Sequence, residues 1–355
     1  MDEITAHLDR GWDLAQKGDA RGAEACAKKA LEIASESPEA YNLLGFATAL
    51  GGEPEDAIEH YRQALALDET YFEAMLSAAE ILIHPLGRYQ EAIDLIDDAI
   101  DVADSTDENV DCLLLKADAL RGMGNEVEAK TTLRRVSTEE LDNANQLFMI
   151  ARAYFDLGDG EKAKPLLEKA LAKEPDFPDA HFYMGLLQEE AGDFRSATES
   201  MLRTRALDGL RPPPSWSPSA EMFGGTLRTV MADFEERLSK LAKEAEVYVV
   251  DLPGPEIIVE GVDPRSVIVI DRVPLREHMH EGEKKILREL PDPADATQHR
   301  LRIFIYQRNV ELASGSLDAI DELLKEAFER EVAFVEKMPE MDGNAPPPPR
   351  PRTLH

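Results

Sequence analysis

Along the first 208 residues, apolar positions return with the period of about 3.6 expected of helices buried on one face. A small residue, a second position four later and a third three beyond it recur down the chain. They form Ala23/Ala27/Ala30, Ala57/Tyr61/Ala64, Ala92/Ile96/Ala99, Ala129/Leu133/Val136, Ala163/Leu167/Ala170 and Ala197/Met201/Thr204. Successive copies are offset by 34, 35, 37, 34 and 34 residues. Ahead of each triplet lies another helical stretch with a small residue at its centre: Gly11, Gly45, Ala79, Ala117, Ala151 and Gly185. Turns such as KGDA, GGEP, LGDG and AGDF separate the two helices, and Pro38 and Pro175 mark boundaries between units. The pattern predicts six helix-turn-helix units over residues 1–209. One helix pair cannot bury its apolar face alone, so stacked neighbours share a continuous core and curve around a concave groove.

Beyond residue 209 the pattern changes. The stretch LRPPPSWSPS (210–219) breaks the helical period and reads as an extended connector. A helix is predicted over 226–245. Three β-branched apolar runs of strand length follow, at 247–253, 266–275 and 301–308. A polar, proline-containing excursion separates the second run from the third. A helix over Glu322–Met338 closes an α-β-β-β-α domain spanning 220–338, and GNAPPPPRPRTLH belongs to a disordered tail, 339–355. With Leu324 set at zero on a helical wheel, Ala327, Phe328, Val335 and Met338 cluster around it. Lys325, Glu326, Glu329, Glu336 and Lys337 fall opposite. Glu331 lands inside the apolar cluster, where a carboxylate must be paired or protonated. It is expected to be partly buried and bonded to a donor of the same domain.

The repeated units resemble the tetratricopeptide repeat, over residues 4 to about 208. YNLLGFATALGGEPEDAIEHYRQALALD and FYMGLLQEEAGDFRSATESMLRTRALD are close to that family's pattern. The resemblance implies an α-solenoid whose first helices line a partner-binding groove. Carried over by position, the lining comprises Asn42, Phe46, Asp111, Asp118, Arg121, Asn145, Phe148, Arg152, Phe155, Asp179, Phe182 and Glu189. Some members clamp a partner's terminal carboxylate with Lys, Arg and Asn. Few basic residues stand at those positions here, so the likeness does not extend to that clamp. Aromatic and acidic lining suits a protein or peptide with apolar anchors and some Lys or Arg.

Charge sharpens the partner class. The 355 residues carry a formal net charge of −32, and residues 1–210 hold 44 Asp/Glu against 20 Lys/Arg. Nucleic acid and anionic membrane need a basic footprint, so neither is expected as a partner. A basic protein is the natural counterpart, and plain solubility is the alternative reading of the same charge. The third unit is the most acidic: DLIDDAIDVADSTDENVD (94–111) has no positive residue. Its carboxylates alternate with apolar residues at helical spacing, which describes a solvated face. Cys26 and Cys112 read as small buried residues, not as a disulfide or metal framework. The acidic amphipathic N-terminus is not a signal peptide, and no apolar run spans a membrane, so a cytoplasmic location is expected.

Residues 220–338 resemble the minimal zincin-like metallopeptidase domain found in bacteria. The segments that carry the likeness are VYVVDLP, VIVIDRVPL, LRIFIYQRNVE and ELLKEAFEREVAFVEK, in the family's order. In that family the last helix bears H-E-x-x-H, whose two His bind Zn²⁺ from one helix face while the Glu activates water. Here the first His position is Arg330, the Glu is Glu331 and the second His is Phe334; Val335 and Lys337 stand at the positions that follow. A guanidinium has no acceptor and a phenyl ring no lone pair, so two ligands are missing. His278 and His280 with Glu281 are the remaining metal candidates, although alternate residues of an extended segment point apart. No cofactor is expected.

The fold class is therefore mainly α: a tetratricopeptide α-solenoid followed by a small α+β zincin-like domain. The expected function is a non-catalytic scaffold or adaptor, with the degenerate peptidase domain as a second docking unit. Two alternatives remain at this level: a metal-dependent peptidase with rearranged ligands, and a holdase-like chaperone for a basic client.

Overall fold

The computed structural model describes residues 3–138, 141–232, 245–274 and 299–337. The chain divides into two compact units, Met1–Pro175 and Asp176–His355.

The first unit holds five consecutive helix pairs: α1 (Glu3–Gln16) with α2 (Ala20–Ile33), α3 (Pro38–Leu50) with α4 (Pro54–Leu67), α5 (Phe72–Ile83) with α6 (Tyr89–Val102), α7 (Thr106–Gly122) with α8 (Glu126–Leu133), and α9 (Ala144–Asp156) with α10 (Gly160–Lys173). Every residue of the predicted triplets is buried. The small central residues are needed for close approach: a Cβ added at Gly45 would lie 2.8 Å from the Tyr61 ring. The turn glycines answer a different demand. Gly52, between α3 and α4, has φ +86, where any side chain is strained. Helix starts are capped: Asp19 accepts the Gly22 N–H, Ser37 the Ala40 N–H, and Ser105 forms a full capping box with Glu108.

The fourth pair departs from the expectation. Its second helix was predicted to run through Val136, but α8 stops at Leu133 after 8 residues, against 14 in α10. Thr131 and Thr132 are poor helix formers, and the Thr131 hydroxyl bonds back to the Val127 carbonyl at 2.9 Å. The chain then tightens into i→i+3 turns, with Arg135 N–H on Thr132 O and Val136 N–H on Leu133 O.

First helices pack on first helices, α1 on α3, α3 on α5, α5 on α7 and α7 on α9. The second helices pack chiefly on their neighbours in sequence. The row of first helices is therefore the tighter, inner layer of the stack.

The second unit begins with a sixth pair, α11 (Pro178–Glu190) and α12 (Phe194–Asp208). It continues through α13 (Ala220–Ala232), β1 (Glu246–Val250), α14 (Pro255–Val259), β2 (Ile268–Pro274), β3 (His299–Tyr306), α15 (Gln307–Ser314) and α16 (Ile320–Lys337). The sheet order is β1-β3-β2. β1 is parallel to β3, with Tyr248 opposite Phe304, and β2 is antiparallel to it, with Ile270 opposite Ile303. One sheet face buries Ile268, Ile270, Ile303 and Ile305 against Phe223 and Leu227 of α13 and Leu324, Ala327, Phe328 and Val332 of α16. α14 packs against α12, so the sixth pair and the sheet share one body.

The predicted strands and closing helix are present, with shifted ends. The third strand stops at Tyr306, where the expectation carried it to 308, and α15 starts at once. The buried Asn309 side chain on α15 donates to the carbonyls of Pro264 (2.9 Å) and Ser266 (2.8 Å), a tertiary reward that local pattern cannot announce. Neither α14 nor α15 was predicted, both being too short to show a helical period. The predicted helix over 226–245 begins earlier, at Ala220. The proline-rich stretch 210–219 is not simply the extended connector expected. It turns at Pro214–Ser217, where the Ser217 N–H donates to Pro214 O at 2.9 Å. It is also docked, with Trp216 packed on the core, Ser217 Oγ donating to Glu311 Oε1 at 2.7 Å and Gln307 Nε2 to Pro218 O at 3.1 Å.

Candidate protein-interaction site

The inner layer of the first unit presents different chemistry at its two ends. At the start, Trp12 and Phe46 lie with ring centroids 5.2 Å apart and tilted by 58°, and Phe46 keeps 38% of its surface exposed. Leu50, one turn further along α3, is also exposed. Asn42, a predicted lining residue, is instead buried. Its Nδ2 donates to the Tyr71 hydroxyl at 3.3 Å, and its buried Oδ1 has no protein partner.

Further along, charge takes over. Asp118 on α7 accepts from Arg121 Nη2 at 2.5 Å and lies 2.6 Å from His84 Nε2, which follows α5. On α9, Arg152 Nε stands 3.9 Å from Asp156. Burial pushes the Asp156 carboxyl up, and Arg152 and Arg121 offset this only in part. Three successive pairs thus offer His84, Asp118, Arg121, Arg152 and Asp156 on one layer. His84 and Asp156 were not predicted: His84 is the C-cap of α5, a helix from which no lining was carried over, and Asp156 ends α9 one position beyond Phe155. Asp111 is exposed at the start of α7. Partial burial, then Asp107, raise its carboxyl, and a hydrogen bond from Gln146 pulls the other way. Asn145 is exposed, Phe155 half-buried and Phe148 buried.

The lining residues assigned to the sixth pair fare differently. Asp179 and Phe182 are engaged within the chain: Arg265 Nη1 lies 2.7 Å from Asp179 Oδ1, and the Arg265 guanidinium sits 4.8 Å from the Phe182 ring centre. Glu189 is half-buried. The acidic third unit is a solvated face, with Asp94, Asp97, Asp98 and Asp101 exposed over the buried Ile93 and Ile96.

On α16, Leu324, Ala327 and Phe328 are buried, and Glu331 is half-buried among them. Glu331 Oε1 accepts the backbone N–H of Ile270 at 3.2 Å. β2 is an edge of the described sheet, so this carboxylate caps one of its backbone donors. Arg330 is exposed, and Phe334 packs on the core. No group of three His, Cys, Asp or Glu among the described residues is arranged to hold a metal ion. His278, His280 and Glu281 lie outside the described residues, as does the tail. No helix among the described residues is long and apolar enough to cross a membrane.

A family model for the tetratricopeptide repeat matches residues 8–72, 51–108 and 148–209. Over these residues the chain carries tetratricopeptide repeats. The stretch between these matches contains the fourth pair, whose second helix is short. A curated relative, cellulose synthase operon protein C of Xanthomonas axonopodis pv. citri (strain 306), is 28% identical over 196 residues. That match takes in 54% of this chain but only 13% of the relative's length. Among solved structures, PilW, described as a widely conserved type IV pilus biogenesis factor, aligns with TM-score 0.50 and 18% identity, over 59% of this chain and 96% of its own. PilF of Pseudomonas aeruginosa aligns with TM-score 0.48 and 19% identity, over 59% and 93%. At such identities the likeness to PilW is one of fold. Tetratricopeptide-repeat proteins are in general interaction proteins, typically without catalytic activity of their own.

Proposed function

We propose that this chain is a non-catalytic scaffold or adaptor that holds a protein partner along the inner helices of its first five repeats. One observation carries the reading: the exposed Phe46, tilted against Trp12, shares a layer with the charged row Asp118, Arg121, Arg152 and Asp156. An aromatic anchor point at one end and fixed charges further along suit a partner held at several points. The net charge of −32 favours a partner with Lys or Arg beside its apolar anchor. Capture from native lysate with the full chain, compared with Phe46→Ala and Asp118→Arg, tests this. One saturable partner should be retained by the unaltered chain and lost or weakened at least tenfold by both variants. Equal recovery by all three overturns the reading.

The C-terminal α+β fold serves, in this proposal, as a second docking unit derived from a zincin-like peptidase. Its support is the strand-and-helix order and the fate of the H-E-x-x-H positions. Arg330 is exposed, Phe334 packs half-buried against the core and Glu331 is engaged with the β2 backbone. Stoichiometric zinc in the purified full chain, with peptide hydrolysis abolished by Glu331→Gln, would defeat this part alone.

A further inference from the structure

In the sixth repeat, the positions carried over as groove lining already have a ligand. Arg265, in the turn before β2, reaches α11 and α12 together. Its Nε and Nη2 donate to the two carboxylate oxygens of Asp208 at 2.8 and 3.1 Å, while Nη1 meets Asp179. The Phe182 ring lies against the guanidinium, and the Arg265 side chain is only 11% exposed. The turn that delivers it is itself fixed, since Asp263 Oδ1 accepts the Arg265 backbone N–H at 2.7 Å. Arg211 completes the cluster with Nη2 at 2.9 Å from Asp179, so two carboxylates face two guanidinium groups and the charges balance. Behind them, Arg308 Nη1 donates to the Arg211 carbonyl at 2.7 Å and holds that strand of backbone in place.

We propose that the sixth repeat is an arginine-binding site filled in cis, with Asp179, Asp208 and Phe182 as the receptor and Arg265 as the resident ligand. The receptor matches a guanidinium group by group. Two carboxylates take the forked N–H donors, and an aromatic face takes the delocalised cation. An ammonium ion has neither the fork nor the plane, so lysine is a poor substitute. While Arg265 is seated, the site is closed to partners, and the surface that partners meet is that of the first five repeats. An arginine-bearing partner reaches the sixth repeat only by displacing Arg265.

Chemical rescue tests this on the full chain. Arg265→Ala leaves Asp208 buried without its main counter-charge and should lower the melting temperature by about 10 °C. Millimolar ethylguanidinium should restore most of that loss, while ethylammonium and sodium chloride at equal concentration should not. The unaltered chain should show no stabilisation by ethylguanidinium. Arg265→Lys should behave as a loss, not as a conservative change. If Arg265→Ala does not fold, the same salts are added during refolding and the soluble yield is read instead. Absence of rescue, equal rescue by ethylammonium, or equal stabilisation of the unaltered chain overturns the proposal. Loss of every partner from the first five repeats would leave these outcomes unchanged, so the two readings fail separately.

Discussion

Glu331 shows how far one residue can be read before its neighbours are known. Helical spacing alone put a carboxylate on the buried face of α16 and required a donor for it. The donor is a backbone N–H of β2. Replacing Glu331 by Ala removes that acceptor and should cost about 1–3 kcal/mol, read as a lower urea midpoint. Gln keeps an oxygen in place and should cost much less. Where sequence reading failed at this scale, the cause was distance along the chain. Asp179 and Phe182 stand at positions carried over as groove lining and were therefore assigned to a partner. The residue that occupies them, Arg265, belongs to another element altogether. Asn42 failed for a nearer reason: Tyr71, at the start of the next repeat, covers it.

At the scale of the element, the helix pairs were legible because close packing dictates their sequence. Gly45 and Gly185 sit where a Cβ would meet Tyr61 and Met201 at 2.8 and 2.7 Å. A requirement that strict repeats at fixed intervals and cannot be mistaken. Elements without such a requirement were lost. α14 and α15 have 5 and 8 residues, too few for a period to show, and their positions are set by tertiary bonds. α7 starts at a complete capping box, Ser105 with Glu108, at the head of the fourth repeat. Because α8 is short, that repeat has less helix to share the load. Ser105→Ala should destabilise it by about 1 kcal/mol, visible as faster amide exchange in α7 and α8 with little change in the first two repeats.

For the whole molecule, composition fixed the sign of the surface, but the division of the chain came from specific contacts. The sequence pattern placed a boundary at 209, after the sixth repeat. The compact units instead part at Pro175, because α14 packs on α12 and the Arg265 cluster binds both helices of that repeat to the sheet. This body should respond to acid in a defined way. Burial alone would raise the Asp179 carboxyl, but Arg265 and Arg211 outweigh it and hold it below its ordinary value. A carboxylate depressed in the folded state adds stability that is complete above its unfolded value, about 4, and is lost as pH falls through the folded value. Asp179→Asn should therefore lower stability at pH 7 and flatten the acid limb of the stability curve below about pH 4. The same cluster bears on how interactions of this chain are mapped. A fragment cut after the sixth repeat would lose Arg265 and lay bare two carboxylates beside an aromatic ring. Such bait would collect arginine-rich proteins from any extract, and its catalogue of partners would describe the cut, not the chain.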